Sequence, residues 1–303
     1  MKISVIIATY NRCVKLRALL QTLAECSLKG NECEVLIVDN NSTDTTKDVA
    51  TEFQAPLRPH FRYLFEKRRG KSNALNCGIK AARGEILAFT DDDCLPSRNW
   101  LHSIVKEFEE DPNLAVLGGR VELYDKNDIA HSLSLSNHRS QITHGMQIIK
   151  NAPIIGANMA FRKCVLDRIG GFDPLLGPGA RCGIAEDVEI LYRCHKSGFK
   201  IVYSPEVMVL HNHGRKSESE DFALSRLYAM GRGGLYCKHI LRADLKMASI
   251  AADEIYGLSK TLLKGFMIRK DFPHHRIMLP GVLRGAINYL SSISRVGRAL
   301  NLL

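Results

Sequence analysis

Apolar and polar residues alternate along the first third of the chain in blocks that predict strands and helices in turn. Four apolar, β-branched runs predict strands, at residues 2–9, 34–38, 61–65 and 85–90. The stretches between them carry apolar residues at helical spacing and predict helices, at residues 12–24, 42–53 and 72–82. This alternation predicts an α/β fold with right-handed crossovers, in which helices cover both faces of a mostly parallel sheet.

The remainder of the chain has a less regular pattern. A helix is predicted at 100–110 and a strand at 114–123, and a glycine-rich section follows. Two short β-branched runs, at 200–203 and 207–210, extend the predicted sheet to about residue 211, and the pattern beyond them is helical. We therefore expect a sheet domain at 1–213 and a helical region at 214–303.

Composition is that of an ordinary globular protein, with 45% hydrophobic and 24% charged residues. The net charge of +10 is uneven, because residues 211–303 hold 15 Lys and Arg against 7 Asp and Glu. A basic surface of this kind faces nucleic acid, anionic lipid, phosphorylated substrates or only solvent.

Location is predicted from three sequence features. The N-terminal apolar run is too short for a signal peptide, and no stretch approaches the 18 or so apolar residues that span a bilayer. The nine cysteines are odd in number and form no CxxC pair, as expected of reduced thiols. We expect a cytoplasmic protein.

Polar clusters follow three of the predicted strands, at the sheet edge where such folds bind ligands. Caps and turns explain residues 39–44, but they do not explain Asp91, Asp92 and Asp93, since adjacent carboxylates repel one another. An Asp-x-Asp pair at a strand end suits Mg²⁺ or Mn²⁺ bound to phosphates. Phosphatases with a nucleophilic aspartate share the spacing, but they need Thr or Val where Cys94 and Leu95 follow.

Two further groups carry titratable side chains. Glu186 and Asp187 enter a predicted helix, whose N-terminus favours acids in any case. His211 and His213 follow the last predicted strand, and either could add a nitrogen ligand to a metal site built on the aspartates. No Cys and His quartet has the spacing of a zinc site.

Six motifs, in this order, give the chain a resemblance to a known family. They are ATYNR at 8–12, VDNNSTD at 38–44, GKSNALN at 70–76, FTDDD at 89–93, GGFD at 170–173 and AED at 185–187. Together they resemble the family 2 glycosyltransferases of the GT-A fold, over about residues 2–213. The resemblance implies that 1–213 is a GT-A catalytic domain and that 214–303 is a helical, basic extension.

The resemblance also implies a nucleotide diphosphate sugar donor, most often a UDP sugar. It places eight residues at the nucleotide: Thr9, Tyr10, Arg12, Asp39, Lys71, Asn76, Asp91 and Asp92. Asp39 would accept a hydrogen bond from the base. The family often has Arg where this chain has Leu75, so one phosphate or ribose contact is either absent or made by Arg68, Arg69 or Lys71.

The metal, Mn²⁺ or Mg²⁺, would be held according to the resemblance by Asp93, Asp91 and His211. We prefer His211 to His213, although the sequence does not separate them. A divalent cation bound with the diphosphate would supply the positive charge that three adjacent aspartates require.

The resemblance matches Asp187, with Glu186 beside it, to the general base that deprotonates the acceptor hydroxyl, and the product would be inverted. Gly156, Ala157 and Asn158 match a loop near the donor sugar and acceptor, although a plain tight turn explains them equally well. Residues 177–183 are expected to form a flexible loop on the acceptor side.

The basic C-terminal region is expected to contact an anionic membrane surface, because enzymes of this family often act on lipid-linked acceptors. Apolar residues recur there at helical spacing, at Leu283, Ile287, Leu290, Ile293 and Leu300. Arg284, Arg295 and Arg298 mark a polar side, and lipid headgroups would meet Lys260, Lys264, Arg269 and Lys270. An ordinary helix packed on the core is the alternative, and no nucleic-acid-binding module is recognisable.

Two other classes of function remain open at this point. A nucleotidyltransferase shares a metal-dependent sugar-nucleotide site, but it usually has a glycine- and arginine-rich loop after the first strand, where this chain has ATYNR. A non-catalytic protein that binds nucleotide sugars, or a scaffold, would keep Asp39 and the aspartate cluster without needing Asp187. The expected acceptor is a lipid-linked molecule or a glycan.

Overall fold

The computed structural model describes residues 2–26, 33–53, 60–267 and 273–299. These residues form nine strands: β1 (Ile3–Thr9), β2 (Cys33–Asp39), β3 (Phe61–Phe65), β4 (Ile86–Asp91), β5 (Cys94–Pro96), β6 (Leu114–Leu123), β7 (Ser140–Gln141), β8 (Asn158–Arg162) and β9 (Lys200–His211). They also form ten helices: α1 (Cys13–Glu25), α2 (Thr46–Phe53), α3 (Lys71–Ala81), α4 (Trp100–Glu110), α5 (Gly145–Asn151), α6 (Lys163–Ile169), α7 (Glu186–Lys196), α8 (Glu218–Ile240), α9 (Leu245–Met267) and α10 (Pro273–Ala299).

All nine strands join one sheet in the order β3-β2-β1-β4-β8-β6-β9-β5, with β7 paired to β9. The first four strands of this order are parallel, as are β6 and β9. In contrast, β8 runs antiparallel to both of its neighbours, because it enters the sheet from the opposite end after the irregular section that follows β6. The sheet is therefore mixed, and its parallel part is the part that the strand and helix alternation predicts.

Helices cover both faces of the sheet, as the apolar runs predict. Strands β1, β2 and β4 are buried on both faces, which is why their sequences are continuously apolar rather than alternating. One core cluster contains the apolar faces of α1, α2 and α4, and a second contains those of α3, α6 and α7. Each fully buried leucine or isoleucine in these clusters contributes about 1.5–3 kcal/mol to stability.

Strand β9 replaces the two short strands predicted near its position. Its pairing with β6 shifts between Gly119 and Arg120, opposite residues 204–208, so the interruption in the apolar pattern is a bulge within one strand. A Cβ atom at Gly119 would lie 2.0 Å from the Val207 carbonyl oxygen, so only glycine fits. Past the bulge β9 runs on to His211, which pairs with Leu123 of β6 and with Cys94 of β5.

The chain divides into two compact units. The sheet unit contains Met1–Phe172 and Asp187–Lys216, and the helical unit contains Asp173–Glu186 and Ser217–Leu303. In the helical unit, Ser217 and Glu220 form a capping box at the start of α8. Glycines bring α8 and α10 close together: a Cβ at Gly233 would lie 1.8 Å from the Val282 carbonyl oxygen. Among the described residues, no helix combines the length and the apolarity needed to cross a membrane.

Candidate active site

The three aspartates lie where β4 ends and the chain turns into β5. Asp91 is the last residue of β4, and Asp92 and Asp93 form the turn that precedes β5. We call Asp91–Asp93 the acidic turn. Because the chain turns here, the extended geometry that would align Asp91 with Asp93 is absent, and each carboxylate meets different partners.

Two basic side chains of the protein neutralise part of the acidic turn. Arg12 Nη1 lies 3.0 Å from Asp92 Oδ1 and 2.7 Å from Asp93 Oδ2, and Lys71 forms an ion pair with Asp91. The hydroxyl of Thr9 donates a hydrogen bond of 2.8 Å to Asp92. Thr9, Arg12 and Lys71, all predicted at the nucleotide, are therefore brought to the acidic turn, and part of the expected positive charge comes from the protein itself.

Burial and neighbouring charges give the two turn aspartates opposite pKa shifts. Burial raises the pKa of Asp92 to about 6, although Arg12 opposes the shift. Burial has the same tendency at Asp93, but His211, Arg12 and Lys71 outweigh it and hold the pKa of that carboxyl well below its usual range. The same carboxylates raise the pKa of Arg12 above its ordinary value against the effect of burial. Asp93 is thus the carboxylate that stays ionised.

Strand pairing brings His211 to Asp93. Cys94 pairs with His211 between β5 and β9, and the Asn212 amide donates a hydrogen bond of 2.8 Å to the Asp93 carbonyl. His211 Nε2 lies 3.4 Å from Asp93 Oδ1. Asp93 Oδ1 and His211 Nδ1 are buried, and neither has a hydrogen-bond partner. A buried carboxylate oxygen without a donor needs a cation or a ligand nearby.

The residues at Asp93 fit a divalent metal ion. Atoms of Asp93, Cys94 and His211 lie within 4.8 Å of one another. Burial raises the pKa of the Cys94 thiol well above its usual value, so the thiol stays protonated and is a poor ligand for Mg²⁺ or Mn²⁺. Asp91, the other predicted ligand, forms its ion pair with Lys71 and lies outside this group. The ligand set supported by the geometry is Asp93 and His211.

His213 faces a different neighbour. Its Nδ1 accepts a hydrogen bond of 3.0 Å from the Arg215 amide and lies 3.6 Å from Asp128 Oδ2. Burial lowers its pKa, and His211 and Arg215 add to the effect, so the ring is neutral. Of the two histidines, His211 is the one placed beside Asp93.

A cleft of about 460 Å³ opens at the end of β2. It is lined by Asp39, Ser42, Thr43, Asp44, Lys47, Asp48, Tyr63 and Phe65. Asp39 Oδ1 accepts a hydrogen bond from the Ser42 amide, and Oδ2 accepts one of 2.9 Å from the Tyr63 hydroxyl. Burial and Asp39 raise the pKa of Tyr63, so the hydroxyl remains a donor. Each Asp39 oxygen keeps a second lone pair for a ligand.

Asn40 is a positioning residue that the sequence analysis did not single out. Its amide donates hydrogen bonds to the carbonyls of Arg68 and Glu66, and its oxygen accepts one of 2.7 Å from the Gly70 amide. These bonds fix the loop that leads into α3 and Lys71. On the same loop, the Arg69 guanidinium lies 3.4 Å from the centre of the Tyr10 ring, which covers one ring face. The doubled Asn in VDNNSTD was the available signal.

Asn76 and Asn158, both expected near ligands, make hydrogen bonds to other groups of the protein. Asn76 donates to the Phe172 carbonyl and accepts from the Phe172 amide, so it anchors the GGFD motif to α3. Asn158 is completely buried, donates to the carbonyls of Arg120 and Val207, and accepts from the Trp100 indole. Ala157 is also in the core. The structure therefore uses these three residues as scaffold.

Asp187 lies in the first turn of α7, half-buried, next to Gly156. Its Oδ2 accepts a hydrogen bond of 2.9 Å from the Gly156 amide, and its Oδ1 accepts one from the Val188 amide. A Cβ at Gly156 would lie 3.3 Å from the Asp187 carboxylate, so glycine gives the amide close access to it. The neighbouring Glu186 is buried. Gly156 and Asp187 thus form one local arrangement, which orients a partly exposed carboxylate.

The sequence model of the family described as Glycosyl transferase family 2 matches residues 4–170, more than half of the chain. The chain belongs to glycosyl transferase family 2. Glycosyltransferase AglE of Haloferax volcanii is 26% identical over 274 residues, which are 90% of this chain and 83% of AglE. A poly-beta-1,6-N-acetyl-D-glucosamine synthase of Staphylococcus epidermidis is 26% identical over 211 residues, and the match covers 68% of this chain but only 48% of the synthase.

Solved structures show the same fold. A mannosyltransferase of Pyrobaculum calidifontis, in complex with GDP-Man and Mn²⁺, superposes with a TM-score of 0.61 at 22% identity, over 96% of this chain and 87% of that one. Residues 1–349 of S. aureus TarS, in complex with UDP-GlcNAc, give a TM-score of 0.54 at 22% identity, over 77% and 66%. The predicted α/β GT-A fold with a helical C-terminal region, the family and the enzyme class are confirmed.

Proposed function

We propose that this glycosyltransferase moves a sugar from a nucleotide diphosphate sugar, with a UDP sugar as the expected donor, to a hydroxyl of a lipid-linked or glycan acceptor. The reaction is a single displacement that inverts the anomeric carbon and depends on Mn²⁺ or Mg²⁺. The observation that carries the proposal is the acidic turn, where a buried carboxylate oxygen of Asp93 lies 3.4 Å from His211 Nε2 and has no closer donor.

The donor class is supported by the two strand ends that flank the site. The cleft at β2 offers aromatic side chains, Tyr63 and Phe65, and a carboxylate, Asp39, which suit a nucleoside base. Arg12 and Lys71 lie at the acidic turn, where the diphosphate would follow the nucleoside. The mannosyltransferase and TarS structures contain a GDP sugar and a UDP sugar respectively, which supports the donor class.

The residues of this chain divide the chemistry between them. Asp93 and His211 would hold the metal, which when bound supplies Lewis-acid stabilisation of the leaving diphosphate. Asp187 accepts the proton of the acceptor hydroxyl as that oxygen forms its bond to the anomeric carbon. The bond between the anomeric carbon and the phosphate oxygen breaks, and its electron pair leaves with the nucleoside diphosphate. The Gly156 amide holds Asp187 oriented during the proton transfer.

A membrane surface is the partner that we propose for the helical unit. Exposed apolar side chains return to one face of α10, at Leu283, Ile287 and Leu290, and to one face of α9, at Leu245, Tyr256 and Leu263. Lys246, Lys260 and Lys264 are exposed on α9 beside this face. Of the residues expected here, Arg269, Lys270 and Leu300 lie outside the described residues, as do the side chains of Arg295 and Arg298.

Vesicle sedimentation tests the membrane proposal. The protein should bind phosphatidylglycerol vesicles more strongly than phosphatidylcholine vesicles, and Leu283→Glu with Ile287→Glu should weaken binding at least tenfold. Equal binding by wild type and the double variant would contradict it.

The functional proposal is tested by a thermal-shift panel of UDP, GDP and dTDP and their sugars, each with Mn²⁺, with Mg²⁺ or with EDTA. A ligand present at a hundred times its dissociation constant should stabilise the protein by about 2.7 kcal/mol. We expect metal-dependent stabilisation by one nucleotide, lost in Asp93→Ala and kept in the matched control Asp167→Ala, an exposed aspartate on α6. If saturating nucleotides produce no shift with either metal, the proposed function is wrong, whereas binding without turnover would leave a non-catalytic protein.

A further inference from the structure

The segment that precedes the proposed base is held by the C-terminal helices. Residues Asp173–Glu186 belong to the helical unit, although the sequence on either side of them belongs to the sheet unit. The chain passes directly from this segment into α7, whose second residue is Asp187. Contacts that fix the position of the 173–186 segment therefore also fix the position of the backbone that leads into Asp187, the proposed general base.

The segment is internally ordered and has an exposed tip. The Gly177 amide donates a hydrogen bond of 2.7 Å to the Gly183 carbonyl, and Cys182 donates to Leu175, so the loop expected to be flexible is closed at its base. Leu176 and Cys182 are buried against Cys237 and Tyr289 of the helices. The side chains at the tip, Pro178 and Arg181, are exposed.

Hydrogen bonds to backbone carbonyls hold the segment against α8 and α10. The Ile184 amide donates a hydrogen bond of 3.0 Å to the Leu227 carbonyl, and the Asn288 amide group donates to the Arg181 carbonyl. A Cβ at Gly231 would lie 2.0 Å from the Ile184 carbonyl oxygen, so glycine on α8 permits the approach.

A buried ion pair anchors the start of the segment. Lys238 Nζ of α8 lies 2.7 Å from Asp173 Oδ2, with side-chain exposures of 7% and 10%. The Tyr289 hydroxyl of α10 donates to the same oxygen, and Asp173 Oδ1 accepts the Leu175 amide. A desolvated pair with its remaining hydrogen bonds satisfied fixes geometry more firmly than an exposed pair does.

We propose that Lys238 is a positioning residue for glycosyl transfer: through Asp173 it fixes the 173–186 segment and so the approach of Asp187 to the acceptor hydroxyl. The inference rests on the proposed function. It assigns the basic C-terminal region a role in the reaction itself, because α8 and α10 hold the chain that leads into the base.

The test compares three variants of the full chain. Lys238→Met removes the positive charge and keeps the approximate length of the side chain, whereas Lys238→Arg keeps the charge. Glu254→Gln is the matched control, since it removes the ion pair of Glu254 with Arg232, between α9 and α8, without touching the 173–186 segment. The first readout is hydrogen–deuterium exchange of residues 174–188, which needs no substrate.

We expect exchange in 174–188 to rise at least tenfold in Lys238→Met, to stay within threefold in Lys238→Arg, and to stay unchanged in Glu254→Gln. The second readout is release of UDP from the UDP sugar that stabilises the wild type. Its kcat should fall at least tenfold in Lys238→Met while the Kd for UDP stays within twofold, and Lys238→Arg should recover most of the loss.

Unchanged exchange in Lys238→Met would overturn the inference, as would equal loss of turnover in Lys238→Met and Glu254→Gln. Failure of the proposed function has a different signature. In that case the wild type itself neither binds nor turns over a nucleotide sugar, and the exchange measurement still decides whether Lys238 orders the segment.

Discussion

The acidic turn and Asp173 are two places where carboxylates are buried, and they differ in how completely their partners satisfy them. Asp173 has a lysine, a tyrosine hydroxyl and a backbone amide directed at its two oxygens. At the acidic turn, Asp93 has Arg12 on one oxygen, whereas the other faces His211 with no hydrogen bond. A saturated buried carboxylate is a structural element, and an unsaturated one indicates a site for a ligand.

Asp187 gives the largest expected effect on activity. Asp187→Asn keeps the shape and one oxygen to accept from the Gly156 amide, but it loses the bond from the Val188 amide and cannot take the acceptor proton. General-base catalysis contributes roughly 10²–10⁴-fold, so kcat should fall by about that factor. Nucleotide binding and the melting temperature should change little, since the side chain is only half-buried. Initial rates and calorimetry on the same preparation measure both.

A kcat for Asp187→Asn within threefold of wild type would remove Asp187 from the proposed mechanism. Asp167→Asn, on the exposed side of α6, controls for the loss of one acidic charge.

Asp173→Asn should have the opposite profile, because it removes the negative charge that Asp173 presents to the buried Lys238. Breaking one side of a buried pair costs about 3–5 kcal/mol in the free energy of unfolding. UDP binding should persist below the melting transition. Chemical denaturation of the wild type, Asp173→Asn, Lys238→Met and the double variant forms a double-mutant cycle. The sum of the two single losses in unfolding free energy should exceed the loss in the double variant. Additive losses would show that the two side chains are not coupled.

The smallest expected effect is a pH dependence of stability, which distinguishes Asp92 from Asp93 within the acidic turn. The folded pKa of Asp92, about 6, is above its ordinary value of 3.8, because the side chain is buried. The protonated Asp92 side chain therefore contributes its full stabilisation below about pH 4, and this stabilisation is lost as pH rises through about 6. Relative to wild type, Asp92→Asn should gain on the order of 3 kcal/mol in unfolding free energy between pH 4 and pH 8.

Urea denaturation in EDTA across that range measures the difference between Asp92→Asn and wild type. The exposed Asp253→Asn on α9 serves as the control. A difference that stays constant with pH would contradict a raised pKa at Asp92.

Local sequence patterns predict the part of the fold that local interactions determine. The bounds of β3, α4 and β6 match the predicted ones, because apolar periodicity reports directly which faces are buried. The orientation of β8 does not follow from such patterns, since it depends on how an irregular section returns the chain to the sheet. The bulge in β9 likewise appears in sequence only as a break between two short runs.

The candidate site shows the same limit. The sequence indicates Asp93 and Asp187 through their motifs and His211 through its place after the last predicted strand, and the structure adds which side chains pair with one another. Arg12 reaches the acidic turn because β1 and β4 are neighbours, and His211 reaches it because β5 pairs with the end of β9. Lys238 and Asp173 carry no motif that links them, and their pairing depends on the packing of α8, which periodicity does not specify.

The place of the 173–186 segment in the helical unit has a consequence for how the protein is made. A ribosome delivers the sheet unit nearly complete before most of α8 to α10 exist, and domains generally begin to fold in the order of synthesis. Tyr289, which binds Asp173, follows it by 116 residues. During that interval Leu176 and Cys182 lack the helices that cover them, so the 173–186 segment of the nascent chain stays incompletely packed until α10 emerges.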